Sequence, residues 1–216
     1  TVLVAGMEHM TRVPMGMAQV ERGLIAPNMG LFLDPALSHW DMMTSMNMGL
    51  TAEKLVDQTK FSREEMDAWG VRSHRLAVNA RNEGFFDGEI LPVDAEQADG
   101  SVLKVATDQA VREDATIESM RALKPAFKKN GVVTPGNSSP LNAGATAMIL
   151  MSKEAAKKKG IRPLATIRSI GFAGVDPTIM GAGPVPASRM ALEKAKMKAA
   201  DIDFWEINEA FCVVAL

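Results

Sequence analysis

The chain has 216 residues, 47% of them hydrophobic and 23% charged, a balance that excludes disorder and supplies enough apolar surface for a sizeable core. Lys and Arg number 24 against 26 for Asp and Glu, so the formal net charge of -2 offers no global attraction to nucleic acid. The longest apolar runs, residues 145–151 and 212–216, fall well short of the roughly 20 residues that span a bilayer, and the single cysteine, Cys212, has no internal partner for a disulfide. A reducing compartment is therefore expected, the cytoplasm or, in a eukaryote, an organellar matrix.

Thr1-Val2-Leu3-Val4-Ala5-Gly6 opens directly on an apolar strand-like run, and residues 211–216 begin like a buried helix that stops within two turns. The expectation is a chain that starts and ends inside a fold, the middle of a longer protein. Residues 7–50 carry nine of the 16 methionines and no sustained period of 2 or 3.6. Unbranched, polarizable methionine suits such an irregular excursion, as packing under a loop or as the lining for a flexible apolar ligand. Residues 51–60 and 62–82 read as helices, the second opening on Ser62 and Glu65 in capping-box spacing and closing at Gly84. Met66, Trp69, Ser73, Leu76 and Ala80 recur along it at helical spacing, which makes Trp69 a core residue.

Residues 85–93 and 101–105 read as strands around a polar turn, followed by a mixed-charge loop to Lys124. Residues 11–141 thus form an α+β insertion. Beyond it, 144–151 is almost wholly apolar, 152–160 is a short helix with lysines in its last turn, and 163–170 is a strand. Residues 186–200 form an amphipathic helix with proline in its first turn, and 204–207 a buried strand. This alternation predicts an α/β core that resumes after the insertion.

Three segments join small residues to polar side chains at the ends of apolar elements: Thr134-Pro135-Gly136-Asn137-Ser138-Ser139, Gly181-Ala182-Gly183-Pro184-Val185-Pro186-Ala187 and Asn208-Glu209-Ala210-Phe211. Ligands gather at strand ends in open α/β sheets, and glycines 181 and 183 permit close approach of a ligand or a backbone. Each segment also has an ordinary structural reading: an Asx turn, a helix entry, and an asparagine satisfying backbone groups.

Taken in order, these segments resemble the thiolases, and within them the degradative 3-ketoacyl-CoA thiolases, over essentially the whole chain. The residues that carry the resemblance are Ala5-Gly6-Met7-Glu8-His9-Met10 with Val13-Pro14-Met15, Met48-Gly49-Leu50-Thr51-Ala52-Glu53, Leu123-Lys124-Pro125-Ala126-Phe127, Gly136-Asn137-Ser138-Ser139 with Gly144-Ala145, Val175-Asp176-Pro177 to Met180-Gly181, Gly183-Pro184-Val185-Pro186-Ala187, and Asn208-Glu209-Ala210-Phe211. The resemblance implies a layered α/β core, incomplete here, with an inserted α+β loop domain. Residues 1–10 would end the N-terminal half, 11–141 would be the loop domain for CoA binding and oligomerisation, 142–162 would complete the N-terminal half, and 163–216 would begin the C-terminal half.

The implied activity is cleavage of a 3-ketoacyl-CoA by CoA, giving acetyl-CoA and a shortened acyl-CoA in fatty-acid β-oxidation. The alternatives are an acetoacetyl-CoA-forming acetyl-CoA acetyltransferase and a non-catalytic acyl-CoA or lipid-binding relative. The family's nucleophilic cysteine, catalytic histidine and second cysteine would lie outside this chain, so the chain alone is expected to be inactive. Cys212 is expected to be inert packing, and His9, His39 and His74 match neither the family's histidine motifs nor a metal site. By resemblance, Asn208 would hold the water of an oxyanion hole, and Phe211 would border the pantetheine tunnel. Ser139 would meet the pantetheine arm, Arg112 and Ser119 the adenine nucleotide end, with Phe127 packed against it, and Met48 and Met180 would flank the acyl and thioester region. Asn47 stands where short-chain biosynthetic members tend to carry histidine, which favours the degradative branch. No tightly bound cofactor is implied, CoA being a substrate. The implied partners are CoA, 3-ketoacyl-CoA, further copies in a homodimer or homotetramer, and a second β-oxidation subunit, with no nucleic acid and no membrane span.

Overall fold

The computed structural model describes residues 1–10 and 34–216. Val13-Pro14-Met15, the methionines at 15, 17 and 29, and the expected start of the insertion at residue 11 lie outside the described residues. In chain order the elements are β1 (Val2–His9), α1 (Met42–Met46), α2 (Met48–Thr59), α3 (Arg63–Asn82), β2 (Val93–Glu96), β3 (Val102–Val105), α4 (Ile117–Arg121), β4 (Ala143–Leu150), α5 (Lys153–Lys158), α6 (Pro184–Ala195) and α7 (Cys212–Ala215). They divide into two compact units, Thr1–Met48 with Leu141–Glu206, and Gly49–Pro140 with Ile207–Leu216. Residues 34–48, which the resemblance assigns to the loop domain, group with the first unit, whereas Ile207–Leu216 joins the second.

In the first unit β1 and β4 form an antiparallel ribbon in register from Val2 opposite Leu150 to His9 opposite Ala143, and the Met10 N–H extends it by donating to Asn142 O at 3.1 Å. All eight residues of each strand are exposed. α5 starts at Ser152, whose Oγ accepts from the Ala155 N–H, and is followed by Gly160 at φ +66°, a backbone setting that glycine adopts without steric cost.

Several expectations for this unit are corrected. Residues 163–170 are not a strand, because no described segment pairs with their backbone. They run beside α6 instead: Ser169 Oγ donates to Ala191 O at 2.7 Å and Lys194 Nζ donates to Ile170 O at 2.9 Å. Gly171 makes this approach possible, since a Cβ there would lie 2.1 Å from Ala187 O. Residues 204–207 are neither buried nor a strand; Phe204 is 88% exposed. The helix expected at 186–200 spans Pro184–Ala195 and stops at Lys196, whose left-handed φ of 57° breaks the helical path, leaving Ala199–Asp201 as a separate 3-10 turn.

The second unit holds most of the described core. Ala52, Leu55 and Val56 of α2, Met66 of α3, Met120 of α4, Val133, and Cys212 and Val213 of α7 are buried. β2 and β3 pair antiparallel, Val93 opposite Val105. Of the strand expected at 85–93 only Val93 belongs to one: residues 85–89 form turns and 90–92 carry no regular element, since Gly88 at φ +83° breaks an extended run. The expected apolar stripe of α3 is buried only at Met66. Trp69 is half-buried with its indole N–H bonded, and Leu76 is 45% exposed.

Candidate functional site

α3 is the frame on which the second unit's site is built. Its first turn is closed by a capping box in which the Glu65 N–H donates to Ser62 Oγ and the Ser62 N–H donates to the Glu65 carboxylate. The Ser62 N–H, and after it the Ser62 hydroxyl, donating to the Glu65 carboxylate hold its carboxyl below the ordinary value. One turn further, Arg63 Nε donates to Asp67 Oδ2 at 2.7 Å, and the Arg63 guanidinium also donates to Met120 O at 2.6 Å and Leu123 O at 3.1 Å. Asp67 is only 2% exposed, so these partners replace the water that a buried carboxylate loses.

The Thr134–Ser139 loop is bolted to this frame. Asn137, 1% exposed, donates from Nδ2 to Asp67 Oδ1 and to Val132 O, both at 3.0 Å, and accepts the Thr134 N–H on Oδ1 at 2.8 Å. The buried Glu53 carboxylate of α2 accepts the Val132 and Val133 N–H groups at 2.9 Å. Gly70 permits the close packing, because a Cβ there would sit 2.6 Å from Gly136 O. Every buried side-chain polar atom among the described residues has a partner.

Asn208-Glu209-Ala210-Phe211 is held on two sides. Both oxygens of the Glu209 carboxylate accept from α3: Trp69 Nε1–H donates to Oε1 at 2.7 Å and Ser73 Oγ donates to Oε2 at 2.5 Å. The Ser139 N–H donates to Ala210 O at 2.9 Å, and Ser138 and Phe211 form an antiparallel bridge. The Phe211 ring meets Phe127 edge to face at 6.1 Å, and Phe127 covers Gly49, where a Cβ would collide with its ring.

Phe127, Ser139 and Phe211 are thus brought together, and Asn208, three residues before Phe211 in the chain, is exposed. Arg112 and Ser119 stand on another stretch of the unit. The Arg112 side chain is exposed while its backbone N–H donates to His74 Nδ1 at 3.2 Å. The Ser119 hydroxyl is occupied in the α4 cap, donating to Thr116 O and accepting the Thr116 N–H. With its one O–H already donated, Ser119 could donate to a ligand only by displacing that cap, though its oxygen keeps one lone pair to accept with. Met48 and Met180 belong to the first unit, 43% and 47% exposed.

Two titratable groups have shifted values of chemical consequence. Burial, with the Glu209 and Asp67 charges adding to it, pushes the Cys212 thiol up to about 12, so it carries essentially no thiolate at neutral pH. Burial, and after it the Arg112 charge, lower the His74 imidazole below its usual value, with Asp114 opposing. Among the described residues no group of three or more His, Cys, Asp or Glu could hold a metal ion, and no described helix is long and apolar enough to cross a membrane.

The thiolase N-terminal domain family matches residues 1–154, and the thiolase C-terminal domain family matches residues 161–216. The chain belongs to the thiolase family. This thiolase chain is 47% identical over 210 residues to the 3-ketoacyl-CoA thiolase of Marinobacter nauticus, an alignment covering 97% of this chain and 51% of that relative. The crystal structure of the Bacillus anthracis acetyl-CoA acetyltransferase superposes with a TM-score of 0.74 at 47% identity, over 78% of this chain and 42% of that one. The acetyl-CoA acetyltransferase structure from Syntrophomonas wolfei gives a TM-score of 0.80 at 35% identity, over 99% of this chain and 53% of that one. The fold is therefore the thiolase-like α/β fold expected from the motifs, and the chain spans about half the length of the relatives it matches.

Sequence reasoning missed the residues that fix the thiolase motifs in place: Glu53, Asp67, Asn137 as a bridge, and the Trp69–Ser73–Glu209 cluster. One signal for the last was available. Ser73 is the single hydroxyl in an otherwise apolar i, i+3/i+4 stripe, and a polar residue on such a stripe requires a partner.

Proposed function

We propose that the chain is part of an acyltransferase that cleaves a 3-ketoacyl-CoA with CoA, releasing acetyl-CoA and loading the shortened acyl group onto the CoA thiol. The observation that carries this reading is the junction of the 138–139 loop with the 208–211 segment, where Phe127 closes on Phe211 in the segment that begins at the exposed Asn208. In such a reaction an enzyme thiolate attacks the 3-keto carbonyl and the C2–C3 bond breaks. The acetyl-CoA enolate so formed must be stabilised and protonated, and CoA then takes the acyl group from the enzyme. The nucleophile and the proton carriers are assigned to parts of the protein beyond this chain, consistent with a Cys212 thiol too basic to act. This chain would supply Asn208 to position an oxyanion-stabilising water, and Phe127, Ser139 and Phe211 as a wall for the pantetheine arm. Arg112 would meet nucleotide phosphate, a role for which a permanently charged guanidinium is apt.

The degradative direction is supported by Asn47 and by the likeness to a 3-ketoacyl-CoA thiolase. The equal identity to an acetyl-CoA acetyltransferase favours the acetoacetyl-CoA-forming reading as the second one. The deciding assay follows the enolate absorbance of acetoacetyl-CoA and of a longer 3-ketoacyl-CoA on adding CoA to the full-length protein. Faster turnover of the longer substrate is expected, and turnover confined to acetoacetyl-CoA would transfer the assignment to the second reading. Titration of CoA into full-length Arg112→Ala should show binding weaker by about 1–3 kcal/mol, and unchanged affinity would remove Arg112 from the site.

A further inference from the structure

The two acceptor atoms of Glu209 and the two donors on α3 form a clamp whose geometry the reading above does not use. Trp69 and Ser73 are four residues apart and so lie on one face of α3. An indole N–H can only donate, and a carboxylate can only accept, so Trp69 on Oε1 and Ser73 on Oε2 fix both the position and the rotation of the carboxylate plane. Arg72 lies over the Trp69 ring, 4.8 Å from its centroid, and covers it.

The clamp closes a circuit. α3 holds Asn137 through Asp67, Asn137 precedes Ser138 and Ser139, these pair with Phe211 and Ala210, and Glu209 returns to α3. A segment fixed at three successive residues anchors the C-terminal side of the residue immediately before it, and that residue is Asn208. We propose that Glu209, with Trp69 and Ser73, is a positioning device that sets the backbone beneath Asn208 and so aims its carboxamide at the oxyanion-stabilising water. The proposal rests on the acyltransferase reading above. Both Glu209 oxygens are engaged by α3, so its part is to act through Asn208.

A double-mutant cycle in the full-length protein, read as kcat and KM with a 3-ketoacyl-CoA and CoA, tests this. Glu209→Ala is expected to lower kcat by roughly ten- to a hundredfold with KM nearly unchanged, the signature of a misplaced transition-state group. In an Asn208→Ala background the same change should cost almost nothing more, because the group it positions is gone. Glu209→Gln, which can still accept from Trp69 and bond Ser73, should restore most of kcat. If Glu209→Ala fails to fold, Ser73→Ala carries the same cycle with one donor removed. Equal losses from the clamp substitution with and without Asn208 would overturn the positioning role and leave a structural one. An Asn208→Ala protein with undiminished kcat would instead overturn the acyltransferase role of Asn208, and the clamp proposal with it.

Discussion

The β1–β4 ribbon of the first unit and the α3 frame of the second are opposite solutions to the same composition. The ribbon is built from residues such as Val2, Leu3, Met148 and Ile149, each more than half exposed, and its backbone ladder is its main described interaction. The α3 frame carries Arg63, Asp67, Trp69 and Ser73, yet it lies in the better-buried unit, where both Asp67 oxygens, the Trp69 indole N–H and the Ser73 hydroxyl each meet a partner at hydrogen-bond distance. An apolar sequence lowers free energy only against another apolar surface, whereas a polar cluster fixes one geometry wherever its partners coincide.

The largest break in this contrast is expected from Asp67→Ala, which removes one of the acceptors of the Arg63 guanidinium and one of the two acceptors of the buried Asn137 amide. Urea unfolding should show a loss of about 3 kcal/mol. A loss of less than a third of that would mean that water replaces the carboxylate at little cost.

Next comes a pair of glycines. Gly70→Ala places a methyl against Gly136 O and should destabilise by about 2 kcal/mol, since backbone rather than a flexible side chain must move. Gly6→Ala, with nothing within 4 Å in the ribbon, should be neutral or stabilising by about 0.5 kcal/mol. Similar losses at both positions would erase the distinction between the regions.

The smallest effect concerns pH. His74 accepts the Arg112 N–H on Nδ1 and so must be neutral, and its folded value lies below the ordinary 6.5. The unfolded chain then takes up the proton first as pH falls, so the stability present above pH 6.5 declines through that value and on through the lower folded one. Wild type should therefore lose more stability between about pH 7.5 and about pH 5 than His74→Gln, measured by urea midpoints. Parallel declines would show that the Asp114 charge offsets the cost.

What the sequence determined by itself is local or ordered along the chain. Ser62 with Glu65 announced the start of α3 because both halves of a capping box lie within one turn, and Gly84 marked its end because glycine is at ease at positive φ. The succession of short motifs identified the family, since order and spacing survive without any contact being known. What only the tertiary structure decided depends on partners far away in the chain. Residues 204–207 are apolar enough for a buried strand, but a strand exists only where another backbone accepts its hydrogen bonds, and none of the described residues does so. Glu209 lies 140 residues from Trp69, and nothing in either neighbourhood encodes the other. Asp67 and Asn137, 70 residues apart, are the same case: a hydrogen bond is directional and short, so the fold must first bring the two atoms together before the sequence at either end acquires its meaning.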